Sequence, residues 1–401
     1  MPDRILTSHV GSLPRPDELV SLNEAVRDGA LDDQAAFDRM LTGAVRDVVA
    51  RQREAGIDLI NDGEYGHLMP ERYDYGSWWT YVFPRLSGLE IREIAMFDMP
   101  QAAPRPGEVK LGSFNDRRDW QQFDEAYGDP SSGCALPNNP EVAPICIGPI
   151  AYTGQELIQR DISNFKAALE AQGLSDGYLN SVAPGSCARV GNEHYANDEE
   201  LIYACADAMR EEYQAIIDAG LMLQLDDPAI AENWDQINPA PSVEDYQRFT
   251  KVRVDALNHA IRGLPTDRIR FHLCWGSWHG PHVTDIPMAD IVNVMLSVNA
   301  GAYSFDAANV RHEHEWRVWH EVKLPEGKRI LPGVVSHSTN VVEHPDLVAE
   351  RIVRFAEGVG RENVVASTDC GLGGRVHPQL AWAKLKSLSE GAKIASSRLW
   401  S

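Results

Sequence analysis

The chain predicts an α/β fold, a (β/α)8 TIM barrel, from three observations. Short apolar runs recur eight times, most of them separated by helix-like amphipathic stretches. Polar residues of catalytic type collect just after those runs, where the C-terminal face of a barrel would lie. A length of 401 residues suits one barrel carrying insertions.

The runs fall at 58–61, 143–147, 177–181, 221–225, 269–273, 301–305, 329–334 and 363–367. Helices are expected at 154–172, 197–219, 242–263, 345–359 and 377–396. Alternation of this kind favours a parallel sheet, and eight units favour a closed ring. Residues 1–57 precede the first run and are expected as an N-terminal extension covering one barrel end. Residues 65–142, rich in Trp, Tyr, Pro, Gly and Asp, are expected as a long insertion that closes over a site or forms a subunit contact. The domain expectation is one barrel over 1–401, assembled as a homo-oligomer.

Composition excludes several classes. A formal net charge of −22 argues against nucleic acid, whose phosphates need a basic surface. No stretch approaches the roughly 18 apolar residues of a membrane helix, and the first residues lack the apolar core of a signal peptide. The cytoplasm is the expected compartment. Six cysteines are too sparse for a disulfide scaffold. Cys134, Cys146, Cys187 and Cys205 have no metal-like spacing and read as buried or incidental.

The remaining two cysteines carry the chemistry. His272 and Cys274 are two residues apart on one strand, so both side chains point the same way. Cys370, in Asp369-Cys370-Gly371, ends a later strand and can bring a third soft donor. Three protein ligands and an open position make a catalytic zinc site. Asp306 ends the strand between them and stands open to three readings: a fourth ligand, an acceptor that orients His272, or a helix N-cap. Alone, a His-x-Cys pair is more often core packing; the matching strand-end Cys370 reverses that balance.

These motifs resemble the catalytic domain of cobalamin-independent methionine synthases. The likeness rests on residues 10–15 (VGSLPR), Gly63-Glu64, 224–228 (QLDDP), His272-x-Cys274 and 369–372 (DCGL) with a later arginine. Longer runs, at 274–287 (CWGSWHGPHVTDIP), 311–319 (RHEHEWRVW), 332–337 (PGVVSH) and 367–375 (STDCGLGGR), resemble the zinc-dependent epoxyalkane:coenzyme M transferases over nearly the whole chain.

That resemblance implies a thiol alkyltransferase, classed as a carbon–sulfur lyase, with Zn2+ held by His272, Cys274 and Cys370. Asp306 departs from the glutamate usual at the superfamily's acidic ligand position. The implied reaction joins coenzyme M, or a similar small thiol, to a short epoxyalkane. An alkyl thiol with a pKa near 8.5 is mostly protonated at neutral pH, and zinc removes that proton. The alkoxide formed from the epoxide needs a proton donor; the candidates are His337, His282, His279 and Tyr65. A sulfonate calls for a basic partner, with Arg15 first and Arg311 and Arg375 behind it. Positions matching Ser12, Glu64 and Asp226 hold the amino acid part of homocysteine in methionine synthase, which keeps an amino-thiol acceptor open. Trp78, Trp79, Trp275 and Trp278 would wall an apolar pocket. For each of these residues the plainer alternative is a structural hydrogen bond, a rim salt bridge or core packing. The competing functions are methyl transfer to homocysteine and a zinc-binding protein without catalysis.

Overall fold

Ten strands define the sheets of the computed structural model, which describes residues 3–95, 109–112, 114–134 and 142–401. They are β1 Leu6–Thr7, β2 Leu89–Arg92, β3 Ala143–Cys146, β4 Tyr178–Val182, β5 Gly191–Asn192, β6 Met222–Asp226, β7 Ile269–Leu273, β8 Ala302–Phe305, β9 Arg329–Val335 and β10 Val365–Thr368. Seven of them form one parallel sheet in the order β1-β10-β9-β8-β7-β6-β4.

Residues 58–61 close this sheet into a ring. Leu59 N donates to Thr7 O at 3.0 Å on one side, and Ile60 O accepts from Tyr178 N at 3.0 Å on the other. An eighth backbone segment therefore fills the gap between β1 and β4, with Asp58 N also reaching Thr7 O at 3.2 Å. The fold is a (β/α)8 barrel whose strands are buried along their whole length, polar residues such as Asn180, Arg270 and Ser367 included.

Two strand assignments differ from the pattern of apolar runs. The segment 1–57 supplies β1, a staff of the barrel, in addition to the helices Asp17–Arg27 and Gln34–Glu54. The run at 143–147 forms β3, which lies in a separate sheet with order β2-β3-β5. An apolar run shows that a segment is buried; it does not say in which sheet.

The five expected helices form at Gln155–Ala171, Asp198–Asp218, Val243–Ala260, Pro345–Val359 and Pro378–Leu399. Their starts follow from local chemistry. Asn197 and Ser242 accept the backbone N–H three residues on, and Pro345 and Pro378 occupy a position whose N–H would be orphaned anyway. In the excursion after residue 65, the described residues include the short helices Ser77–Thr80, Arg118–Gln122 and Asp124–Gly128. Residues 96–108, 113 and 135–141 of that excursion lie outside the described set. Among the described residues, no helix is long and apolar enough to cross a membrane.

Candidate metal and thiol site

His272, Cys274 and Cys370 meet at the C-terminal ends of β7 and β10, with their ligand atoms all within 4.8 Å of one another. The two sulfurs are 3.9 Å apart. That separation fits the edge of a tetrahedron with metal–sulfur bonds of about 2.3 Å, roughly 3.8 Å. His272 Nδ1 pairs with Ser304 Oγ at 3.1 Å, while its buried Nε2 has no partner. A ring held through one nitrogen, with the other bare beside two thiols, suits a soft metal ion. The pair of thiols is polarised: a hydrogen bond from Cys274 holds Cys370 well below the usual thiol range, and the same contact, with burial, pushes Cys274 up.

Asp306 stands outside this cluster. Its Oδ2 is 3.9 Å from Cys274 Sγ and its Oδ1 has no partner. Burial, with Asp369 and Cys370 nearby, pushes its carboxyl well above the ordinary range. The orienting contact to His272 comes from Ser304, its register partner on β8, so Asp306 does not fill that role. Asp369 fixes the adjoining loop by accepting from Ala307 N and Ala308 N at 2.7 Å each.

A cavity of 1410 Å³ opens over the cluster. Ser12, Glu64, Asp226, His279 and Arg375 line it together with Tyr75, Trp78, Trp79, Tyr81 and Trp278. Glu64 sits in the left-handed region at φ 59°, a conformation that costs a non-glycine residue and so marks a position of interest. Its N–H donates to Asp62 Oδ1 at 2.9 Å, and its Oε2 has no hydrogen-bond partner. Asp226 accepts from Asn180 Nδ2 at 2.9 Å and Gln224 Nε2 at 2.8 Å. Burial and the neighbouring Asp226 push the Glu64 carboxyl well up, and burial raises Asp226 too. Two like charges confined together leave the pair short of a cation.

The proposed proton donors part company. His279 lines the cavity, with Nε2 3.4 Å from His337 O; burial lowers its pKa and leaves the ring neutral. His337 lies behind Cys370 and off the cavity lining, pushed down to about 3 by burial, so it has no proton to give at neutral pH. Tyr65 is buried with its hydroxyl committed to Pro14 O at 2.6 Å, which takes it out of the site. His282 has both nitrogens in use, on Asp285 at 3.1 Å and Trp278 O at 3.1 Å, and does not reach the cavity.

The basic candidates sort as clearly. Arg15 is buried and spent on the carbonyls of Glu64 and His67, the Ser12 hydroxyl and Met69, so it braces the Glu64 turn and meets no ligand. Arg311 is exposed, donates to Val283 O and lies off the cavity. Arg375 does line it, bonded to Ser277 Oγ at 2.7 Å and to the Asp74 and Tyr75 carbonyls, with no carboxylate partner among the described residues. Trp275 is 1% exposed and points away, its Nε1 on Ile286 O at 2.7 Å. Trp78, Trp79 and Trp278 face the cavity. Asn180, Gln224 and Ser304 belong to the site without having been given a role from the sequence; Asn180 and Ser304 act across strand pairings that spacing does not reveal, whereas Gln224 reaches Asp226 two residues on along β6.

Fold and site together define an α/β barrel with a thiol–imidazole cluster at its C-terminal face. The chain belongs to the family described as "Cobalamin-independent synthase, Catalytic domain", whose model matches residues 143–394. A methionine synthase of Saccharolobus solfataricus is 25% identical over 52% of this chain, a match spanning about half (54%) of that relative's own length. A methionine synthase of Sulfolobus acidocaldarius is 23% identical over 98% of this chain and 93% of its own. A 2-hydroxypropyl-CoM lyase of Xanthobacter autotrophicus is 22% identical over 98% and 96%. The likeness to a coenzyme M enzyme over nearly the whole chain, expected from the long runs, is therefore seen, but at an identity no higher than that of the methionine synthases. The barrel of a B12-independent methionine synthase from Shewanella superposes with a TM-score of 0.70 at 18% identity, covering 99% of each chain.

Proposed function

We propose that the chain is a zinc-dependent alkyltransferase that places an alkyl group on the sulfur of a small amino-bearing thiol of the homocysteine type. One observation carries this reading: Glu64 and Asp226 share a cavity with the His272, Cys274 and Cys370 cluster, and Glu64 Oε2 has no hydrogen-bond partner there, only His67 Nδ1 at 3.8 Å, a ring whose pKa burial lowers. A buried carboxylate pair welcomes an ammonium group and opposes a second anion.

Held by His272, Cys274 and Cys370, a zinc ion would supply the charge that deprotonates an incoming thiol while leaving its sulfur nucleophilic. The protein's own groups do the rest. Ser304 fixes the His272 ring so that Nε2 faces the cluster. Glu64, Asp226 and Ser12 orient the acceptor's amino acid end. His279, with Nε2 toward a carbonyl, keeps Nδ1 to receive the thiol proton. The sulfur–carbon bond forms as the donor's bond to that carbon breaks; the leaving group departs with the electron pair and takes up one proton. A volume of 1410 Å³ exceeds the roughly 300–1,000 Å³ of common small-molecule pockets. It suits a bulky alkyl carrier, such as a methyl-folate, better than a short epoxide.

A second reading, epoxide opening by coenzyme M, is favoured by Arg375, a buried cation on the cavity wall that meets only neutral acceptors. The reading further takes residues 1–401 as one domain. It includes a cytoplasmic location, supported by six unpaired cysteines, and a homo-oligomer, which sedimentation of the purified chain tests. Zinc-loaded protein incubated with homocysteine or coenzyme M, each with methyl-folate or epoxypropane, and analysed by mass spectrometry separates the two. Methylated homocysteine is the expected product. A 2-hydroxypropyl thioether of coenzyme M, formed alone, overturns the first reading in favour of the second.

A further inference from the structure

Apart from Cys274, Trp278 and His279, the histidine-rich runs 274–287 and 311–319 are not used by the reaction above, yet they meet in one buried chain of charges. His312 Nε2 faces Asp285 Oδ2 at 2.9 Å and its Nδ1 faces Glu315 Oε2 at 2.8 Å. An imidazole with a carboxylate on each nitrogen needs two N–H donors, so this ring is an imidazolium. His282 meets the same condition, with Nδ1 on Asp285 and Nε2 on the Trp278 carbonyl. Two cations and the two carboxylates Asp285 and Glu315 balance one another out of water. At the far end, Glu315 Oε1 accepts Met288 N at 2.7 Å.

The chain grips the stretch that follows the thiol ligand. His312 stacks on Trp275, the neighbour of Cys274, at 4.1 Å, and His282 stacks on Trp278 at 4.3 Å. Asp119, from the excursion, receives His282 N at 3.2 Å and Val283 N at 2.9 Å and fastens the same loop from the other side. Trp278 in turn forms part of the cavity wall.

We propose that His312 is a positioning residue: clamped between Asp285 and Glu315, it holds the Cys274–Trp278 segment, through Trp275 and His282, in the shape the substrate cavity requires. The proposal rests on the reading of that cavity as the substrate site. The groups facing the two rings are the anions Asp285, Glu315 and Asp119, with Asp306, Arg118, His279 and His337 around them. Burial works against the charge on His312, yet the hydrogen bonds to Asp285 and Glu315 outweigh it and raise its pKa to about 9. The clamp therefore holds at neutral pH and releases in alkali.

Hydrogen exchange of peptides covering 275–287, corrected for the intrinsic effect of pH, tests this without any substrate. Protection at pH 7 should fall as the pH passes through about 9. In His312→Gln, exchange at pH 7 should already be about tenfold faster or more, with no further alkaline step. Loop protection that is the same at pH 7 and pH 10, or unchanged in a folded His312→Gln protein, overturns the proposal. If that variant does not fold, imidazole NMR of the unmodified protein decides: doubly protonated His312 at pH 7.5 supports the clamp and a neutral ring overturns it. Absence of alkyl transfer would count against the proposed function alone, since neither readout depends on turnover.

Discussion

Glu64→Gln separates charge from shape at the acceptor end of the cavity. The substitution keeps the length of the side chain and one carbonyl oxygen, and removes the charge that an ammonium group would meet. Glu64 Oε2 is buried without a hydrogen-bond partner, so under the proposed function the acceptor's amine would supply one. A hydrogen bond between charged groups is worth about 1.5–3 kcal/mol, or roughly 10- to 150-fold in affinity. Asp226 remains and shares the cation, so the lower half of that range is expected. KM for homocysteine should rise by about 10- to 30-fold with kcat little changed. For a thiol of the same length without the amine, KM should hold, and for coenzyme M it should fall, because an anion no longer faces Glu64. Steady-state kinetics with the three thiols reads all of these. Equal losses for amine-bearing and amine-free thiols, or no loss at all, would refute the assignment of Glu64 to the ammonium group.

Other outcomes follow from the same geometry. Cys274→Ala and Cys370→Ala should each lose zinc and activity together; full zinc occupancy by elemental analysis in either variant counts against the ligand set. Asp306→Ala should retain more zinc than either, because its carboxylate lies outside the three-ligand cluster; equal metal loss would make it a ligand. Gly276 has φ 98°, and an added Cβ would overlap the Trp278 ring, so Gly276→Ala should cost on the order of 2–4 kcal/mol in denaturant titrations; an unchanged midpoint would show that Trp278 moves freely. His312, raised to about 9 from an ordinary 6.5, contributes stability fully present below about pH 6.5 and lost as the pH rises through 9, on the order of 3 kcal/mol. His9 and His337, pushed down by burial to about 4 and about 3, act with the opposite sign. Their contribution is lost as the pH falls from about 6.5 through those values, and urea unfolding from about pH 3 to about pH 10 checks both limbs.

How much of this was legible in the chain depended on the range of the interaction. His272 and Cys274 could be read together because strand geometry puts residues two apart on one side, and Cys370 because it follows a comparable run. The helices announced themselves through Asn197, Ser242, Pro345 and Pro378, whose roles are local. β1 escaped notice because two residues have no periodicity; it exists through its pairing with β10. The run at 143–147 was correctly apolar and wrongly placed, since burial can be satisfied in either sheet. His282 looks catalytic in the sequence because spacing does not reveal that Asp285 and the Trp278 carbonyl occupy both its nitrogens. Arg15 looked like an anion binder for the same reason: the carbonyls that occupy it lie about fifty residues away.

The seam between β1 and β10 has a consequence for how the protein is made. Its first strand pairs with its last, Leu6 beside Val365 and Thr7 beside Ala366. On a ribosome the N-terminal strand must therefore wait, unpaired along that edge, while more than three hundred residues are added. Cys370 emerges immediately after β10, so the third residue of the cluster, its second sulfur, and the last strand of this sheet arrive in the same moment of synthesis. The nascent chain cannot assemble His272, Cys274 and Cys370 before it can close the barrel, so under the proposed zinc reading metal uptake would be tied to the completion of folding.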